Sequence, residues 1–207
     1  DEKLTREEGY VTHLINKHAV DFIEANKVRP FCLYVPHEAP HYPYQGPNDK
    51  PFRVAGQVRV HAKKSRARNR LAYRQMVEEM DKGVGRIIAA LDKHGLREKT
   101  LVIFCSDNGA TPLGSNGELR GHKGRIWEGG HRVPMIAAWQ GRIERGSVND
   151  SLCMSLDLMP TILALAGLAP SQERPLDGID LSGVLLEGET IKDRKVYRSE
   201  ERRVGKE

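Results

Sequence analysis

Thr100-Leu101-Val102-Ile103-Phe104-Cys105-Ser106-Asp107-Asn108-Gly109 is the stretch on which the fold turns. Residues 100–106 are mostly apolar, with β-branched and aromatic side chains, and predict a buried strand. Asp107-Asn108-Gly109 then closes it with turn residues. In open α/β sheets ligands bind beyond the carboxyl ends of the strands, so this polar ending is also the first place to look for chemistry.

Upstream, Leu71, Val77, Met80, Val84, Ile87, Ile88 and Leu91 recur at helical spacing and predict a helix from about Ala67 to His94, with Gly95 at its C-terminal cap. Gly83 and Gly85 each weaken that helix by roughly 1 kcal/mol relative to Ala and predict close packing against another backbone. Val11, Leu14, Ile15, Ala19, Phe22 and Ile23 give an earlier helical stripe between Gly9 and Lys27, stopped by Arg29-Pro30. Phe31 to Val35 reads as a second buried strand. The segment PHEAPHYPYQGP, 36–47, has four prolines in twelve residues and predicts a loop. Downstream come a glycine-rich loop, a third strand from Val133 to Trp139, and a short helix from Asp157 to Ala166 that tolerates Pro160 in its first turn. That order predicts an α/β fold with a largely parallel sheet covered on both faces, a three-layer α/β/α sandwich.

The chain has 207 residues, 33 Lys plus Arg against 28 Asp plus Glu, a net charge of +5 and 39% hydrophobic residues. Apolar content of that order excludes a disordered chain. No window approaches the ~18 consecutive apolar residues of a membrane span. Three cysteines, Cys32, Cys105 and Cys153, are too few and too scattered for a disulfide scaffold or a cysteine-based zinc site. Cys32 and Cys105 fall in predicted strands, where cysteine behaves as a small hydrophobe. The basic run 58–70 leads straight into a helix without interleaved aromatics, which favours a solvated face over a nucleic-acid or polyanion site.

Two predicted strands end in polar loops. The first leads to His37 and His41, the second to Asp107 and Asn108, and the next loop carries His122, Lys123 and Arg125. Asp107 and Asn108 offer the oxygen donors that suit a hard cation such as Ca²⁺ or Mg²⁺, but a plain Asp-Asn-Gly turn accounts for the same residues. His41 and Lys123 are placed to donate to an anionic substrate oxygen; a loop histidine and a solvated lysine are the competing readings.

Read together, FCLYVPHEAPHYP, TLVIFCSDNG, GHKGRIWEGGHRVP, SLDLMPTILALAG and LDGIDLSGVLLEG, in this order, resemble the sulfatase family of the alkaline-phosphatase superfamily. The resemblance runs from Gly9 to Tyr197. It implies an alkaline-phosphatase-like fold, hydrolysis of sulfate esters, a divalent metal, usually Ca²⁺ with Mg²⁺ as the alternative, and a formylglycine nucleophile. It matches Asp107 and Asn108 to metal ligands and Lys123 and His41 to the catalytic groups that contact sulfate. His37, in the same loop, stands second to His41 as a substrate contact. Glu128, Gly129, Gly130, Arg132 and Pro134 match the family's E-G-G-x-R-x-P stretch and are read as shaping the loop. The C/S-x-P-x-R motif that yields formylglycine occurs nowhere in the chain, and neither does the family's N-terminal acidic pair.

The resemblance therefore implies the middle-to-late part of a catalytic domain over 1–190, the start of a smaller C-terminal subdomain over 191–197, and formylglycine on a preceding segment. Residues 198–207, RSEERRVGKE, are similar to the translation of a sequencing adapter and are set aside as read-through. The expected substrate is a sulfated small molecule or glycan, with no nucleic-acid partner and no membrane span, in the periplasm or secreted. The chain by itself is expected to be inactive. A phosphate or phosphonate ester hydrolase of the same superfamily, and a non-enzymatic polyanion-binding module using 58–70, are the alternatives.

Overall fold

The computed structural model describes residues 6–51 and 65–196. The chain divides into two compact units, Asp1–Arg97 and Glu98–Glu207. Most of the basic run, 58–64, and the tail 198–207 lie outside the described residues.

The first unit is built on two packed helices, α1 (Val11–Asn26) and α2 (Arg66–Lys93). Ser65 caps α2, its Oγ accepting the Arg68 N–H at 3.3 Å. At the other end Gly95 takes a left-handed φ of 63°, and Leu96 N–H donates to the Leu91 carbonyl while Gly95 N–H donates to that of Asp92. This is a Schellman cap, and it uses glycine because an L side chain is disfavoured at that φ. Asn26 closes α1 differently: its Nδ2 donates to the Phe22 carbonyl at 2.7 Å and its Oδ1 accepts Arg29 Nε at 2.7 Å.

The buried faces coincide with the apolar stripes at Ala19, Ile23 and Leu91 and depart from them elsewhere. In α1 the buried residues are Thr12, Asn16, Ala19, Ile23 and Asn26. In α2 they are Ala72, Met76, Gly83, Ala90 and Leu91, whereas Leu71 is 58% exposed. The interface is centred on small residues, which let the helices approach closely. At Gly83 an added Cβ would collide with the amide of Asn16, so the close packing expected there is against a side chain. At Gly85 nothing lies within 4 Å. Arg66, Arg68 and Arg70 are exposed at the start of α2, a solvated face as read for that part of the run.

Phe31 to Val35 forms no strand; its residues alternate between half-buried and exposed. A short apolar run forms a strand only where a partner supplies the ladder hydrogen bonds, and none does so here among the described residues.

In the second unit β1 (Val102–Cys105) pairs with β2 (Met135–Ala138) in antiparallel register, Phe104 opposite Ile136 and Cys105 opposite Met135. The described strands therefore make no parallel pair, in place of the largely parallel sheet expected from element order. Cys105 is exposed, as is Cys32, so neither is the buried hydrophobe that its place in the sequence suggested. α3 (Leu158–Leu165) carries Pro160 in its first turn and ends in a second Schellman cap at Gly167. A final short helix, α4 (Ser182–Leu186), follows.

Candidate active site

The candidate residues fall in both units, and each group is described within its own. In the first unit the 36–47 loop carries His37 and His41. Four tyrosines hold the loop. Tyr10 donates its hydroxyl to the Gln45 carbonyl at 2.9 Å, and Tyr44 packs edge-on against Tyr73 of α2 and against Tyr42. Gln45 N–H also reaches Met76 Sδ at 3.4 Å. The aromatic anchor on α2 was not foreseen, although YPY in a proline-rich loop was the available signal.

His41 is exposed, between cis Ala39-Pro40 and Tyr42-Pro43 bonds, and its Nδ1 lies 2.6 Å from the Tyr42 carbonyl oxygen. A carbonyl only accepts, so Nδ1 carries the proton and Nε2 is the nitrogen left for chemistry. His37 is half-buried; burial holds it below the ordinary histidine range, and neither ring nitrogen has a hydrogen-bond partner. It offers a neutral imidazole at neutral pH, not a charge.

In the second unit Asp107 and Asn108 follow β1 directly. Asp107 is exposed and Asn108 half-buried; Asn108 Nδ2 donates to Asp107 Oδ2, and Ser106 Oγ donates to the Asn108 carbonyl at 2.9 Å. The Lys123 loop is bonded to the same segment: Lys123 N–H donates to the Ala110 carbonyl at 3.0 Å. The structure thus brings Asp107 and Asn108 together with the loop that carries Lys123.

Glycine makes that approach geometrically available. Gly109 N–H donates to the Gly130 carbonyl at 3.0 Å, and Gly129 N–H to the Arg120 carbonyl at 2.8 Å. A Cβ on Gly109 would strike the Gly129 carbonyl, one on Gly129 the Gly121 carbonyl, and one on Gly130 the Arg125 carbonyl. The Glu128–Gly130 turn is therefore a backbone spacer between the strand end and the lysine loop. Glu128 pairs with Arg132 at 3.1 Å, Arg120 stacks on the Trp127 ring at 3.7 Å, and His122 Nδ1 donates to the Lys123 carbonyl at 3.0 Å. Asn116, unremarked in the sequence, bridges both sides: its Oδ1 accepts the Ala110 N–H at 2.7 Å and its Nδ2 donates to the Gly121 carbonyl at 3.1 Å.

The Asp107 carboxylate and the Asn108 side-chain carbonyl are hard oxygen donors and fit a divalent cation chemically. Among the described residues no group of three or more His, Cys, Asp or Glu could hold a metal alone. Ca²⁺ takes six to eight oxygen ligands, so the pair is part of a set. No helix among the described residues is long and apolar enough to cross a membrane.

Comparison with known proteins identifies the family. Residues 2–168 match the Sulfatase family model. The chain is 37% identical over 198 residues to N-acetylgalactosamine-6-sulfatase of Canis lupus familiaris, covering 92% of this chain and 35% of that protein. It is 37% identical over 187 residues to steryl-sulfatase of Mus musculus, covering 86% of this chain and 28% of that protein. The solved structure of Ps i-CgsB superposes with a TM-score of 0.77 at 31% identity, over 92% of this chain and 41% of that one. The chain thus spans about a third of the length of the curated relatives it matches, and it belongs to the sulfatase family.

Proposed function

We propose that the protein carrying this segment hydrolyses sulfate esters, with Asp107 and Asn108 as two oxygen ligands of a divalent cation and Lys123 and His41 as the groups that contact sulfate. The observation that carries the reading is the Lys123 N–H to Ala110 carbonyl bond, which ties the lysine loop to the chain just beyond the Asp-Asn pair. A bound Ca²⁺, or Mg²⁺, would polarise the sulfate oxygens as a Lewis acid. The Lys123 ammonium supplies fixed positive charge at those oxygens, where negative charge develops in the transition state. His41, with Nδ1 committed to the Tyr42 carbonyl, donates from Nε2 when doubly protonated and delivers that proton to the leaving alcohol. His37, half-buried in the same loop, stands second to His41 as a substrate contact. The chain contains no C/S-x-P-x-R sequence, so no step is assigned here to a formylglycine; the family reading places it on a preceding segment.

A sulfated glycan is the substrate class we favour. Ps i-CgsB, at 31% identity, has been solved with a carrageenan-type hexasaccharide, and the canine relative is a sulfatase of an amino sugar. A mostly parallel central sheet, completed by sequence outside this segment, and export to the periplasm or the cell exterior belong to the same reading.

The test is turnover by the intact protein of an aryl sulfate, a sulfated oligosaccharide and a phosphate monoester. Sulfate esters are expected to be cleaved in preference. Lys123→Ala is expected to lower kcat by about 10²–10³, the effect of removing one transition-state donor. Faster cleavage of the phosphate monoester, or no effect of Lys123→Ala, would sink the proposal.

A further inference from the structure

We infer that Asn116 is a positioning residue, which holds the Lys123 loop in fixed register against the segment that presents Asp107 and Asn108. This rests on the reading that those three residues work on one sulfate group. Three hydrogen bonds and a short run of chain close a ring. Ala110 N–H donates to Asn116 Oδ1, Asn116 Nδ2 donates to the Gly121 carbonyl, the chain runs on to Lys123, and Lys123 N–H returns to the Ala110 carbonyl. Ala110 is thereby pinned at both its N–H and its carbonyl, two residues beyond Asn108.

The loop needs such a tie. Gly117 and Gly121 both sit at positive φ, 60° and 89°, and glycine loses more backbone freedom on ordering than any other residue. A carboxamide carries a donor and an acceptor on one planar group, which is what bridging an N–H and a carbonyl requires. Aspartate keeps the acceptor but sets a negative charge against the Gly121 carbonyl. Alanine removes both contacts and leaves the Ala110 N–H without its acceptor. Asn116 touches no reacting atom; its effect runs through Lys123.

The experiment uses the intact protein with Asn116→Ala, Asn116→Asp, Lys123→Ala and the double variant Asn116→Ala/Lys123→Ala. Loss of a tie behind a site residue typically costs about 10–100-fold in activity. The expected result is a fall of that size in kcat with KM little changed, and faster amide hydrogen exchange at Ala110 and Lys123. Asn116→Ala is expected to cost nothing more once Lys123 is already alanine, because coupled residues do not add. A merely structural role would instead give losses that multiply independently, and that outcome, or wild-type kcat in both Asn116 variants, overturns the inference. Should Asn116→Ala fail to fold, the isosteric Asn116→Asp carries the same measurements. If the wild type cleaves no sulfate ester, the sulfatase reading falls and exchange alone decides the tie: acceleration at Ala110 and Lys123 upholds it, unchanged exchange refutes it.

Discussion

Asp157 is fully buried, and its bonds reach three separate parts of the second unit, at Met154, Ile179 and Arg194. Oδ2 accepts the Met154 N–H at 2.7 Å and Arg194 Nη1 at 2.6 Å; Oδ1 accepts the Ile179 N–H at 3.0 Å and Arg194 Nη2 at 2.7 Å. Its own carbonyl accepts the Thr161 hydroxyl, whose oxygen accepts the Leu181 N–H at 2.9 Å. One side chain thus fastens the start of α3 to the segment that runs on to Arg194. Sequence placed Asp157 at a helix start and no further, because partners 22 and 37 residues away leave no local signature. Burial raises the Asp157 pKa, but the guanidinium of Arg194 and the two backbone amides outweigh it and hold the carboxyl below its ordinary value. The stabilisation is therefore complete above the unfolded carboxylate value, about 3.9, and is lost as pH falls through the lower folded value. Asp157→Asn strands the Arg194 charge and is expected to cost about 3–5 kcal/mol at neutral pH, the usual result of breaking a buried pair from one side. Denaturant melts of the intact protein should show that gap at pH 7, narrowing as pH falls from about 3.9 and closing below the lower folded value; a gap independent of pH would refute the assignment.

At the scale of elements, the helices were legible because their signals are local. Spacing gave α1, α2 and α3, and Gly95 and Gly167 marked two of their ends where the backbone turns left-handed. Which face each helix buries was legible only in part: Ala19, Ile23 and Leu91 are buried as their stripes predict. The apolar stripe of α2 pointed to Leu71 and Val77, but the contact with α1 is made where Gly83 admits the Asn16 amide, and neither residue is hydrophobic. Strand pairing was lost for the same reason: β1 and β2 are joined by a long loop, and direction depends on a partner that sequence spacing does not name. The candidate site sits between these cases. Asp107, Asn108 and Lys123 are candidates by motif, whereas Asn116 makes its bonds to backbone atoms that a motif does not display. The two helix glycines give a sharp contrast. Gly85→Ala meets nothing and is expected to stabilise α2 by about 0.5–1 kcal/mol through reduced backbone entropy. Gly83→Ala must displace the Asn16 amide, which is 1% exposed, and is expected to destabilise by about 1–3 kcal/mol. Thermal melting of the two variants should shift in opposite directions, and equal shifts would show that the helix interface is not closed at Gly83.

For the whole molecule, length and composition read as an ordinary globular domain, and hydrophobic content of 39% says nothing about where that surface goes. The structure shows much of it facing outward. Phe104 and Ile136, cross-strand partners on one face of the sheet, are 39% and 61% exposed, and Val28, Tyr34 and Met159 are exposed as well. Two strands alone are marginal in water, and stability requires further strands or a covering layer. Relatives in which this chain accounts for about 35% of the length have the remaining sequence to supply that layer. An exposed apolar pair on one face of so small a sheet marks a face built to be covered. The isolated 207-residue chain is therefore expected to bind a hydrophobic dye, to melt without a cooperative transition, and to turn over an aryl sulfate no faster than its Lys123→Ala variant. The intact protein should do the reverse on all three measurements. A sharp melt of the isolated chain with no dye binding would show that these faces need no cover, and turnover above the Lys123→Ala level would show that the residues present here suffice for catalysis.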